Sequence, residues 1–69
     1  MKLSARNVLK GTIRTIDLGA VNAEIVVEIS PGLDVTSIIT KRSCENLGLA
    51  TGKEVHIVIK ASNVMIGVE

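Results

Sequence analysis

Apolar and polar residues alternate along most of the chain, the period-2 signature of half-buried β-strands. Over residues 7–18, Leu9, Gly11, Ile13 and Thr15 fall on one face, with Lys10, Thr12 and Arg14 on the other. Gly19 supplies the turn that follows. Ala23, Ile25, Val27 and Ile29 then alternate with Asn22, Glu24, Val26 and Glu28. Pro31-Gly32 fits the centre of a type II turn, because proline presets φ and glycine accepts a positive one. Residues 35–40 make a third strand.

There the period changes. Thr40 is placed to cap a short helix over residues 41–47, and Gly48 sits where a left-handed C′ residue is expected. Thr51-Gly52 turns the chain into a strand over residues 54–60, and residues 64–68 alternate as a fifth. The order β-β-β-α-β-β, as one domain over residues 1–69, predicts an all-β fold with one short helix. The matching architecture is a five-stranded, partly open Greek-key barrel of the OB type. Ile16, Val26, Ile38 and Val58 fall opposite the inward-facing sets. Four apolar residues on the outside of adjoining strands point to contacts between subunits.

Size sharpens that expectation. A chain of about 60 residues buries only about 60% of its unfolded surface, and reinforcement by disulfides, metal or oligomerisation is usual. Cys44 is the only cysteine and His56 the only histidine, which excludes an internal disulfide and a His/Cys zinc cluster within one subunit. Yet the chain is 46% hydrophobic, with a mean hydropathy of +0.44. Oligomerisation is the reinforcement left. No charge-free apolar run approaches the roughly 20 residues of a spanning helix, and the N-terminus lacks the apolar stretch of a signal peptide. A cytoplasmic protein without membrane contact is expected. Net charge is +1 and Phe, Tyr and Trp are all absent, so neither a polyanion-attracting field nor stacking platforms for single-stranded nucleic acid exist.

Three segments carry candidate chemistry. Ser4 and Arg6, two apart in an extended stretch, present a hydroxyl and a guanidinium to the same side. Thr40 and Ser43 flank the first turn of the predicted helix, where backbone N–H groups lack partners. Lys60, followed by Ala61, closes the fourth strand. Together they offer two positive charges, three hydroxyls and free N–H groups, a donor set suited to an oxyanion. No carboxylate belongs to the set. Hydrogen phosphate carries a proton that wants an acceptor, whereas a fully ionised tetrahedral dianion needs donors alone. Each residue also has an ordinary reading: Thr40 as a helix cap, Ser43 as a surface serine, Lys60 as a guard on a sheet edge, Arg6 as a solvated terminal residue.

Cys44 reads as a buried or half-buried helix residue, and His56, opposite Val55 and Ile57, as a surface or interface residue. No nucleophile–base pair, metal cluster or cofactor loop is present, so no catalytic residue and no enzyme activity is expected. An OB-type module for single-stranded nucleic acid is the alternative to an anion-binding protein, and the missing aromatics and near-neutral charge weigh against it.

Read in register, Ser4-Ala5-Arg6-Asn7, Leu9-Lys10-Gly11, Thr36-Ser37-Ile38-Ile39-Thr40, Leu47-Gly48-Leu49 and Lys60-Ala61-Ser62-Asn63-Val64-Met65-Ile66 closely resemble the molbindin (Mop) family of small molybdate-binding proteins. The likeness covers essentially the whole chain. It implies an OB-type barrel assembled as a hexamer, a trimer of dimers, holding molybdate or tungstate between subunits for storage or homeostasis. Carried over by position, Ser4 and Arg6 match the early anion ligands, Thr40 and Ser43 the middle ones, and Lys60 with the Ala61 backbone the late ones. A second anion site near the threefold axis is also implied, at the backbone of Gly19-Ala20-Val21.

Overall fold

Four of the predicted strands form, and together they make one antiparallel sheet that curls over a small core. In the computed structural model, which describes residues 1–69, β1 spans Asn7–Leu18, β2 Asn22–Ser30, β3 Leu33–Thr40 and β4 Glu54–Ile59. A single helix, α1 (Lys41–Asn46), joins β3 towards β4, and a 3-10 turn, Ala61–Asn63, follows β4. The strand order is β3-β2-β1-β4, so β3 and β4 are the two edges. The chain is mostly β with one short helix, as the alternation predicted.

The fifth strand does not form within the chain. Residues 64–68 have the alternation of a strand, but no backbone hydrogen bond reaches residues 65–69. The reason is that periodicity identifies a segment able to pair; it does not supply an edge to pair with. A five-stranded Greek-key closure is therefore replaced, in the single chain, by four strands and a free apolar tail.

One irregularity in β1 changes which residues face inward. Ile13 pairs with Val27 and Thr15 with Val26, leaving Arg14 as the extra residue of a β-bulge. Beyond it the alternation shifts phase. Ile16, expected on the outer face, pairs with buried Ile25 and packs on the core instead. Val26, Ile38 and Val58 keep their outer positions, Ile38 and Val58 exposed and Val26 half-buried. Arg14 itself reaches over β2 to the carboxylate of Asp34 on β3.

The core is Ile13, Ala23, Ile25, Val27 and Cys44, flanked by partly buried Ile16, Ile29, Ile39, Leu49, Val55 and Ile57. Only 6 of 69 residues are buried, too few to make a lone chain robust. Gly11, on the inner face, lets β1 lie close against β2: a Cβ there would meet Val27 Cγ1 at 2.6 Å and the Glu28 carbonyl oxygen at 2.7 Å. Both contacts are impossible for real atoms, and the second is to backbone. Gly11→Ala should therefore lower the free energy of unfolding by about 1–3 kcal/mol, the cost of overpacking. Urea denaturation at matched protein concentration checks this; an unchanged midpoint would show that the strands can separate freely.

Helix α1 is fastened at both ends. The Thr40 hydroxyl oxygen accepts from the Ser43 N–H at 3.0 Å, an N-cap. At the other end Gly48 has φ +62°, the left-handed conformation that ends many helices. Lys53 Nζ donates to the carbonyls of Leu47 and Gly48, each at 3.1 Å. Cys44 fixes the inward face of the helix over β2 and β3. His56 lies on the exposed face of β4 opposite Lys10, as its position between Val55 and Ile57 predicted.

Candidate anion-binding site

The pairing of β1 with β4 builds the pocket. Asn7 stands opposite Ile59, so residues before Asn7 and residues after Ile59 leave the same end of the sheet side by side. Between them opens a groove lined by Ser4, Ala5, Arg6, Val58, Lys60, Ala61, Ser62 and Asn63. It is the only pocket of the chain. The antiparallel register thus joins two of the three candidate segments, 54 residues apart from Arg6 to Lys60. Ser4, Arg6, Lys60 and Ala61 all line it.

Its chemistry is one-sided. The guanidinium and ammonium bring donors only, the hydroxyls of Ser4 and Ser62 and the Asn63 amide donate or accept, and Val58 contributes an apolar patch. No carboxylate lines the groove. The chain's ion pairs are Lys10–Glu54 and Arg14–Asp34, so Arg6 and Lys60 have no acidic partner. Two like charges held at one mouth of the sheet with nothing to neutralise them are a standing attraction for an anion.

Thr40 and Ser43 are elsewhere. Thr40 pairs with Asn22 and Ala23 with Leu18, which places α1 at the far end of β1 from Arg6. The 11 residue steps from Asn7 to Leu18 correspond to roughly 36 Å of extended strand, shortened by twist. The structure does not bring them to the groove in one chain. At their own end they are orderly. Thr40 Oγ1 donates to Ser43 Oγ at 2.8 Å while capping the helix, which leaves the Ser43 O–H free to donate outward.

Gly19, Ala20 and Val21 form the β1–β2 turn beside α1. The Gly19 N–H is committed to the Asn22 carbonyl at 2.8 Å, and the Val21 carbonyl accepts from the Lys41 N–H at 2.7 Å. The N–H groups of Ala20 and Val21 make no backbone hydrogen bond, and Val21 is exposed. This turn shares its end of the sheet with Thr40 and Ser43.

Sequence reasoning missed Ala5, Val58, Ser62 and Asn63 as pocket residues. Val58 was legible only as an outer-face residue. Ser62 and Asn63 enter because residues 61–63 coil into a 3-10 turn, with the Asn63 N–H on the Lys60 carbonyl at 2.9 Å. The run of small and polar residues directly after a strand was the available signal.

The groove measures about 710 Å³, far more than one tetrahedral ion needs when a water occupies about 30 Å³. One chain therefore supplies a wall of donors and not an enclosure.

Residues 3–66 match the TOBE domain family. The chain is 50% identical over 66 residues to molybdenum-pterin-binding protein 3 of Clostridium pasteurianum, covering 96% of this chain and 97% of that protein. It is 47% identical over 66 residues to molybdenum-pterin-binding protein MopA of Rhodobacter capsulatus, of whose length it spans only 25%. Among solved structures, the cytoplasmic molybdate-binding protein ModG with molybdate bound superposes with a TM-score of 0.94 at 49% identity. That match covers 100% of this chain and 49% of ModG.

Proposed function

Because the chain belongs to the TOBE domain family, and within it to the Mop proteins, we propose that it binds molybdate or tungstate and holds the anion between subunits of a homo-oligomer. The observation that carries this is the groove: Arg6 and Lys60 stand together with hydroxyls and without any carboxylate. A dianion there meets two full positive charges, the neutralisation that a site shielded from water requires.

The second half of the site is Thr40 and Ser43 of a neighbouring copy. In one chain they lie at the far end of β1, while the groove is open and oversized. Packing one copy's α1 end against another copy's groove closes it and adds the free Ser43 hydroxyl. Six copies, as a trimer of dimers, is the assembly the Mop resemblance implies, with the Ala20 and Val21 N–H groups offering a second anion site between copies. A cytoplasmic role in molybdate storage or homeostasis fits a binding protein of this kind.

Selectivity tests the chemistry. Molybdate and tungstate should bind alike, and phosphate far more weakly, because the proton on hydrogen phosphate finds no carboxylate to accept it. Sulfate is unprotonated but smaller, so a site set to longer metal–oxygen bonds leaves its hydrogen bonds stretched. Competition calorimetry with the four anions reads this directly. Equal affinity for phosphate and molybdate would count decisively against a site that selects by lacking a carboxylate acceptor.

Assembly is tested separately by native mass spectrometry with and without molybdate. The expected species are multiples of 7.3 kDa, gaining anion mass only as the oligomer. Anion carried by a single 7.3 kDa chain would sink the shared-site reading.

A further inference from the structure

Strand β4 carries more than one wall of the groove. Its outward positions are Glu54, His56 and Val58, and Lys60 continues the same alternation just past its end. The register sets Thr12, Lys10 and Val8 of β1 against the first three, and Arg6 falls one step beyond, level with Lys60. One face of the sheet therefore runs from the two groove cations, through Val8 and Val58, to His56. His56 is exposed, and on β4 Val58 alone separates it from Lys60 on that face. Two steps along a strand span about 7 Å, which puts an anion held at the groove within about 10 Å of the imidazole.

His56 is the only histidine, and histidine is the side chain whose ordinary pKa places a charge change between about pH 5 and 8. Its surroundings leave that change uncancelled. Lys10 stands directly opposite on β1; along β4 its neighbours on the same face are Glu54, Val58 and then Lys60. Lys10 Nζ is held by Glu54 Oε1 at 3.1 Å, so those two charges offset each other. Lys53 is turned away, onto the carbonyls of Leu47 and Gly48. A proton on His56 thus adds a net positive charge to the face that carries the groove.

We infer that His56 is a proton-linked tuner of the anion groove, strengthening its hold on a tetrahedral dianion as imidazolium and relaxing it as neutral imidazole, without touching the ion. This rests on the anion-binding reading of the groove and adds a residue outside its ligands. Linkage gives the sign. A dianion favours the charged imidazole, so the complex binds more protons than the free protein, and affinity rises as pH falls through the ordinary histidine range. Two negative charges about 10 Å from one positive charge change affinity roughly fourfold in water, and more where water is excluded. Salt erodes the effect, because the Debye length is about 8 Å at physiological ionic strength.

Calorimetric titration of the assembled full chain with molybdate, at low ionic strength and at about pH 8 and about pH 6, tests it. Molybdate is the same dianion at both. Wild type should bind at least about threefold more tightly at the lower pH. His56→Gln, which cannot charge, should bind equally at both, and His56→Lys should bind at the higher pH as wild type does at the lower. Reciprocity supplies a second readout: with molybdate bound, His56 should keep its proton down to a roughly threefold lower proton concentration. The chain has no Phe, Tyr or Trp, so in deuterium oxide the imidazole C–H protons stand alone in the aromatic NMR region. Equal wild-type affinity at the two pH values would overturn the inference. So would a pH dependence that persists in His56→Gln, which would pass the proton to another group such as the Met1 amine. No molybdate bound at either pH would refute the proposed function, and this inference with it.

Discussion

Arg6→Ala is expected to lower molybdate affinity by several decades and to leave the assembly intact. In the isolated chain Arg6 is exposed and has no ion-pair partner, so its removal breaks no contact that the fold relies on. In the proposed site, closed between two copies, the balance is different. One of the two cations facing a dianion disappears, and an uncompensated charge remains in a poorly solvated place. Removing one partner of a buried charge pair costs about 3–5 kcal/mol, or roughly two to four decades of affinity. Arg6→Lys should weaken binding as well, because an ammonium cannot reproduce the planar fork of the guanidinium. Lys60→Ala follows the same argument from the other wall of the groove. If Arg6 were a solvated terminal residue, the variant would bind molybdate as wild type does and its stability would hardly change. Calorimetric titration, after sedimentation has shown the oligomer intact, separates the two outcomes.

Two variants that cannot bind alone should bind together. Arg6→Ala empties one half-site and leaves Thr40 and Ser43 untouched; Ser43→Asp does the reverse. Aspartate in the first turn of α1 favours the helix dipole, so the second variant folds, but its carboxylate repels the anion. If each site draws Arg6 and Lys60 from one copy and Thr40 and Ser43 from another, mixed oligomers contain sites with both halves native. Random assortment of equal amounts regenerates about a quarter of the sites at wild-type affinity. Neither parent oligomer has any. Unfolding and refolding the variants together, then titrating molybdate, measures the recovered fraction. No recovery, with mixed assembly confirmed by mass, would place both halves in one chain and contradict the separation seen along β1.

Most local features of this protein were determined by its sequence. The alternation placed β1 to β4, the proline–glycine turn joined β2 to β3, and Thr40 with Gly48 bounded the helix to within a residue or so. Each depends on neighbours a few positions away, where side-chain period, capping and φ preference act directly. Ser4 and Arg6 line one groove although the chain bends at both and is not the extended stretch their spacing suggested, and Lys60 directly follows the fourth strand. Tertiary structure decided the rest. The bulge at Arg14 turned Ile16 inward, and it arises from how β1 and β2 pair, which no count along β1 contains. Register set Asn7 against Ile59 and so put Arg6 beside Lys60 across one groove. The same register carried Thr40 and Ser43 to the opposite end, splitting a set of residues that looked like one site. It also left residues 64–68 without an edge in their own chain. Strand pairing is an agreement between distant segments, so the sequence can name what is able to pair, while only the folded sheet settles which partners meet.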